Sequence, residues 1–167
     1  MFSRITLFFL ILIASIAACF ECTSFARSAG EGARIIAVIV NGDNPVATLT
    51  HAELQAILLG ERQTWGGKVP IVLMMRTYGS PEREIVVQKI CRMNQAEYHK
   101  YWSTKIFRGE ASVEPVTLPS VGAALNFVSG VKGGISFVTG GNPNAKFNVK
   151  ILRIDGHLPG EPDYPLQ

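Results

Sequence analysis

The sequence has few of the residues and motifs on which enzymes and metalloproteins depend. Its 167 residues include three histidines, at positions 51, 99 and 157, and none of them has a partner at metal-ligand spacing. Neither a HExxH helix nor an EF-hand loop occurs, and neither a GxSxG elbow nor a P-loop lysine pattern is present. We therefore predict a protein that has no metal site and no cofactor and that is not an enzyme.

Charged residues are also scarce. They make up 17% of the chain, and the net charge is only +3. No basic run with interleaved aromatic residues appears, which argues against a nucleic-acid partner. Hydrophobic residues make up 47% of the chain, enough for one compact core, and neither a repeat nor a low-complexity tract divides it.

Cysteine is nearly absent from the body of the chain. Cys19 and Cys22 lie in the amino-terminal segment, which leaves Cys91 alone in the rest. One thiol cannot form an internal disulfide, and Cys91 falls on the apolar side of a predicted helix. The pattern predicts a buried small hydrophobic residue rather than a nucleophile.

The first 26 residues have the pattern of a signal peptide. Arg4 precedes an apolar stretch over residues 5–20, which is shorter than the roughly 20 residues that a spanning helix needs. Cleavage after Ala26 would release a soluble protein that starts at Arg27, and the region before that site favours this route. The alternative is a lipobox that ends at Cys19 and leaves the protein lipid-anchored. Both routes predict a periplasmic or otherwise exported protein, with a flexible lead-in over residues 27–34.

Residues 35–167 alternate between strand and helix patterns. Apolar runs predict strands over residues 35–40, 70–75, 135–138 and 147–154. Capping signals predict helices that begin after Thr50, Ser80, Asn94 and Ser120. Strands separated by helices indicate an α/β domain with a mixed or largely parallel sheet flanked by helices.

The turn after the second predicted strand is the candidate site. Residues 76–80 (RTYGS) separate that strand from a helix that begins at Pro81, so several backbone N–H groups point outward beside two arginines. The candidate ligand-binding residues are Arg76, Thr77, Gly79, Ser80 and Arg83. The alternative is an ordinary turn that binds nothing, because the first-turn glutamates already complement the helix dipole.

Five stretches follow one another in a particular order: residues 40–45 (VNGDNP), 49–65 (LTHAELQAILLGERQTW), 76–80 (RTYGS), 133–138 (GGISFV) and 154–166, which begins IDG and ends YPL. In this order they resemble the phosphate-type substrate-binding proteins of bacterial ABC importers, which have the type II periplasmic-binding-protein fold. The resemblance covers nearly all of residues 35–166 but only one of that family's two lobes. It implies a single-lobe binding module, with phosphate or another small oxyanion as ligand and an ABC importer or another exported protein as partner.

The resemblance also shows where this chain departs from the family. The family's loop reads RSDGSGT, and this chain has RTYGSPE. Tyr78 replaces an acidic acceptor, Pro81 removes an N–H donor, and Glu82 places a negative charge where a threonine hydroxyl is expected. Together with the missing lobe, these changes predict that any binding is weak, on about the millimolar scale. The alternative is an adaptor that has lost ligand capture and that pairs with a partner or a second copy.

Overall fold

The computed structural model describes residues 34–140 and 146–167. In these ranges the strands are β1 (Ile36–Asn41), β2 (Thr48–Leu49), β3 (Thr64–Trp65), β4 (Val69–Pro70), β5 (Val72–Arg76), β6 (Val116–Leu118), β7 (Gly134–Thr139), β8 (Val149–Ile151) and β9 (Arg153–Ile154). The helices are α1 (His51–Leu58), α2 (Pro81–Val86), which continues as a π-helical turn (Val87–Cys91), α3 (Gln95–Phe107) and α4 (Val121–Gly130). The predicted signal peptide and residues 27–33 of the lead-in lie outside the described ranges.

A five-stranded mixed sheet is the centre of the fold, in the order β6-β5-β7-β1-β8. Strand β5 runs parallel to β6 and β7, whereas β1 runs antiparallel to β7 and β8. The predicted mixed sheet flanked by helices is thereby confirmed. No helix in the described ranges has the length and apolar character that crossing a bilayer requires.

Both faces of the sheet are covered. All six residues of β1 are buried, and alternate side chains enter different hydrophobic clusters. Val38 and Val40 pack with residues of α1, α3 and the π-helical turn, whereas Ala37 and Ile39 pack with residues of α4. Burial on both faces explains why this strand is a continuous apolar run rather than an alternating one.

The four predicted helix starts are confirmed. Thr50 and Asn94 each form a capping box, and Ser80 and Ser120 each accept a hydrogen bond from a backbone N–H three residues on. The helix after Ser80 differs from the prediction because it widens into the π-helical turn (Val87–Cys91). The wider turn brings Val87 and Cys91 to the buried side and ends at a residue with φ of 55°.

Helix α3 caps the carboxyl end of α1. The Tyr98 hydroxyl donates to the Leu58 carbonyl at 2.7 Å, and the Tyr101 hydroxyl donates to Leu59 at 3.0 Å. Lys105 Nζ lies 2.9 Å from the same Leu59 carbonyl and adds a positive charge at the negative end of the α1 dipole. The tyrosines of α3 therefore supply hydrogen-bond donors to carbonyls at the carboxyl end of α1.

Two segments outside the predicted strands and helices also form strands. The segment around Trp65 is a hairpin of β3 and β4, and the buried Trp65 Nε1 donates to the Gly133 carbonyl at 2.9 Å. The proline-flanked linker contains β6, which pairs with β5 and forms one end of the central sheet. The backbone carbonyl of Leu118 points toward β5. Because backbone groups alternate in direction along a strand, those of Pro115, Thr117 and Pro119 point away from β5, toward the open edge of the sheet.

The carboxyl end pairs with β1 and β2 although it contains Pro159, Pro162 and Pro165. The predicted last strand divides into β8, which pairs with β1, and β9, which pairs with β2. The buried Tyr164 hydroxyl donates to the Ile36 carbonyl at 2.7 Å, and the Ile36 N–H donates to the Leu166 carbonyl at 2.9 Å. Tyr164 and Leu166 are both buried in the same hydrophobic cluster as Ile36, so the tail packs against β1.

We expect Gly133→Ala to destabilise the fold, because a Cβ there would lie 1.9 Å from the Pro70 carbonyl oxygen. The backbone would have to shift, at a cost of about 1–3 kcal/mol in the free energy of unfolding, measured by urea titration. Gly130→Ala is the matched control, because its Cβ would meet nothing within 4 Å at the end of α4. The control should be neutral or slightly stabilising. Equal effects of the two substitutions would contradict this account.

Candidate functional site

The candidate site lies at the carboxyl ends of two parallel strands. Strand β5 ends at Arg76 and β7 ends at Thr139, and α2 begins immediately after the turn that follows β5. Such ends are where open α/β sheets usually bind their ligands. The Ser80 N–H donates to the Thr77 carbonyl at 3.1 Å, and Gly79 has φ of 76° and is exposed. Glycine suits this left-handed position because other residues are strained there.

The hydroxyl of Ser80 is part of the helix start. Its Oγ accepts a hydrogen bond from the Arg83 N–H at 3.4 Å, which is the capping role that the sequence predicts. Ser80 is nearly buried, and Pro81 follows it without an N–H to offer. The turn thus presents an exposed glycine next to a serine whose hydroxyl oxygen already accepts the capping hydrogen bond.

Arg76 lies in a buried polar cluster with Glu82 and Thr139. Arg76 Nη1 donates to the Leu118 carbonyl at 2.9 Å, while Arg76 Nε is 3.9 Å from Glu82 Oε1. The Thr139 hydroxyl donates to that same Oε1 at 3.1 Å. The side chains of Arg76 and Glu82 are only 12% and 5% exposed. Arg76 Nε is buried and has no hydrogen-bond partner among the described residues. We call these three residues the Arg76–Glu82–Thr139 cluster.

Arg83 connects the turn to α3. Its Nε donates to Gln95 Oε1 at 2.9 Å, and its Nη1 donates to the Arg76 carbonyl at 3.2 Å. The guanidinium carbon lies 4.0 Å from the centre of the Tyr78 ring, a cation–π distance. Arg83 is 3% exposed, so its guanidinium holds the turn from inside the fold. A ligand-binding role for Arg83 stays a prediction.

Tyr78 covers Arg83 and is tied to two further segments. Its hydroxyl lies 3.3 Å from Glu114 Oε2 and 3.3 Å from His99 Nδ1, and that Nδ1 lies 2.9 Å from Glu114 Oε1. Partial burial raises the pKa of Tyr78, and the Glu114 carboxylate adds to this effect while Arg83 opposes it. Tyr78 therefore fixes the turn against α3 and the loop before β6.

The structure brings together some of the predicted residues and adds one that the sequence did not reveal. The turn contains four of the predicted residues, Arg76, Thr77, Gly79 and Ser80, and Arg83 lies beneath it. Thr139 was missed, because it is distant in sequence and was not inside a predicted strand. The available signal was its place one residue after the predicted strand at residues 135–138, whose carboxyl end lies beside that of β5.

The described residues include one free cysteine and no clustered metal ligands. They contain no group of three or more histidine, cysteine, aspartate or glutamate side chains placed to hold a metal ion. Cys91 is buried, as predicted, and burial raises the pKa of its thiol to about 12. A thiolate is therefore disfavoured there at neutral pH.

Neither a protein-family model nor a curated protein matches this sequence. Solved structures do match the fold. A candidate phosphate ABC transporter substrate-binding protein from Clostridium perfringens, with phosphate bound, is similar at 23% identity and a TM-score of 0.59. That match covers 74% of this chain and 46% of the other.

Two further structures agree. An ABC-type phosphate transport receptor from Vibrio cholerae is 20% identical, with a TM-score of 0.59, over 75% of this chain and 48% of that one. PstS from Borrelia burgdorferi is 16% identical, with a TM-score of 0.64, over 80% of this chain and 54% of its own length. The chain thus spans about half the length of these proteins, and it has the fold of one lobe of a type II periplasmic-binding protein.

Proposed function

We propose that this chain is an exported, non-enzymatic binding module that binds phosphate or another small oxyanion weakly at the turn between β5 and α2. One observation carries the proposal. An arginine and an exposed glycine turn lie at the carboxyl end of a central strand, in a lobe whose fold is that of phosphate-binding proteins. The proposed ligand-binding residues are Arg76, Thr77, Gly79, Ser80 and Arg83.

Weak binding is proposed because most donors at the turn already have partners. Arg83 donates to Gln95 and to the Arg76 carbonyl, and Arg76 Nη1 donates to Leu118. A hydrogen bond to a charged group contributes about 1.5–3 kcal/mol, so each donor that is already in use matters. With few donors left, affinity on about the millimolar scale is expected.

Export and an importer partner belong to the same proposal. The signal-peptide pattern supports work outside the cytoplasm, and similar proteins are described as ABC transporter substrate-binding proteins. We propose that this module works with an ABC importer or with another exported protein. Lipid anchoring through Cys19 is the alternative to a soluble form.

Titration calorimetry with phosphate and sulfate tests the oxyanion site. We expect saturable heat for the wild-type protein at millimolar concentrations, and its loss in Arg76→Ala, because this substitution removes a guanidinium with a buried, unused N–H. Arg108→Ala is the matched control, because it removes the same charge from an exposed side chain at the end of α3. Loss of binding in both variants, or in neither, would contradict the assignment of Arg76.

Intact-mass analysis of protein exported by a Gram-negative host tests the processing. We expect a periplasmic species that begins at Arg27, because small residues precede this position at the cleavage site. Cys19→Ala and Cys22→Ala precursors should both give the same mass and location. A membrane-bound species whose added mass disappears only in Cys19→Ala would establish the lipoprotein route instead.

A second candidate function is that of an adaptor that acts through protein contacts. Two apolar side chains near the end of α3 and the following loop favour it: Phe107 is 92% exposed and Val113 is 70% exposed. The two residues lie six positions apart in sequence, and contiguous exposed apolar patches often mark interaction surfaces. The partner would be another exported protein or a second copy of this chain.

Sedimentation velocity tests self-association. If these residues support pairing, we expect the wild-type protein to form a dimer at concentrations where Phe107→Ser/Val113→Ser is monomeric, because burying both side chains would no longer be favourable. Phe127→Ser is the control, since this half-exposed phenylalanine lies on α4, across the sheet. A wild-type protein that remains monomeric at every concentration would argue against a homo-oligomer.

A further inference from the structure

We propose that the Glu82 carboxylate is an internal ligand of the oxyanion site, so that an external anion must displace it before binding. This inference rests on the proposed oxyanion-binding function and explains why binding should be weak. It also assigns Thr139 as the positioning residue that holds Glu82 in the site.

The first argument is the burial of Glu82. Only 4% of the residue is exposed, although it belongs to the first turn of α2, where a carboxylate could equally face solvent. Its neighbour Glu84, two residues later in the same helix, is exposed. Charged side chains are seldom buried unless they are paired, so the position of Glu82 reflects a specific interaction.

The second argument is the identity of its neighbours. One oxygen of Glu82 accepts a hydrogen bond from the Thr139 hydroxyl at 3.1 Å and lies 3.9 Å from Arg76 Nε. A hydroxyl and a guanidinium are also the donors that bind phosphate and carboxylate ligands in proteins. Glu82 therefore presents to Arg76 the chemistry of a bound oxyanion.

The third argument is that the pairing with Arg76 is incomplete. A hydrogen bond between Nε and a carboxylate oxygen would span about 2.7–3.2 Å, and the observed separation is 3.9 Å. Arg76 Nε has no other acceptor within the described ranges. The attraction between the charges is present, but one strong donor is unused. A small oxyanion that displaces the carboxylate can use that donor.

An ordinary structural ion pair is the competing explanation, and phosphate titration separates the two. In a purely structural pair, removing the carboxylate would destabilise the fold and create no affinity for anions. In an internally occupied site, Glu82→Gln removes the competing charge and keeps the side-chain volume. Phosphate should then bind at least about tenfold more tightly than to the wild-type protein, which corresponds to about 1.4 kcal/mol.

The experiment compares wild type, Glu82→Gln, Glu82→Thr and Glu84→Gln by calorimetry with inorganic phosphate, after circular dichroism has confirmed that each is folded. Glu84→Gln removes an equal charge from the same helix and should bind phosphate as the wild type does. Glu82→Thr provides a second test if the glutamine variant does not fold. The rise in Tm with phosphate is measured in parallel, because ligand binding stabilises the folded state.

The inference is supported if either Glu82 variant binds phosphate more tightly than the wild type while the Glu84 variant is unchanged. The same holds if the wild-type protein shows no binding and a Glu82 variant does bind. If the wild-type protein binds phosphate and the Glu82 variants bind it no more tightly, the internal ligand is refuted while the proposed function stands. If no protein in the series binds phosphate, both the inference and the proposed oxyanion function are refuted. An equal gain in the Glu84 variant would show a general charge effect and overturn the inference.

Discussion

A guanidinium buried at the end of a central strand must receive its acceptors and its counter-charge from the fold itself. Arg76 has this position, and three neighbouring elements contribute the groups that surround it. Strand β6 supplies the Leu118 carbonyl, α2 supplies the Glu82 carboxylate, and β7 supplies the hydroxyl that holds this carboxylate in place. Removing one member of a buried ion pair typically costs about 3–5 kcal/mol, so these elements are coupled through one side chain.

Helix α3 is the second element on which the site depends. Its first residue, Gln95, bonds the buried Arg83, and His99 contacts the tyrosine that lies over that arginine. Tyr98 and Lys105 of the same helix cap the end of α1. One helix therefore fixes both the turn on one side and α1 on the other. The conformation of the turn is thus set by contacts with residues distant from it in sequence.

The sequence predicted the parts of the fold that depend on local chemistry. Helix starts were found because caps such as Thr50 and Asn94 act within three residues, and the continuous apolar pattern of β1 reflects burial on both faces. Strand β6 was missed because it pairs with a strand some 40 residues earlier in the sequence. It also lies between two prolines, which suggest a linker. The candidate turn was found for the same local reason, whereas its contact with Thr139 arises only when β5 and β7 align.

The prolines beside β6 affect how other extended chains can pair with this edge of the sheet. On the outward side of this end strand, only Thr117 offers an N–H, since residues 115 and 119 are prolines. A neighbouring extended chain needs a regular series of N–H donors, and it would find only one along this edge of β6. Addition of a further strand at this edge is therefore disfavoured. Such an edge lowers the tendency of copies of this domain to associate strand to strand.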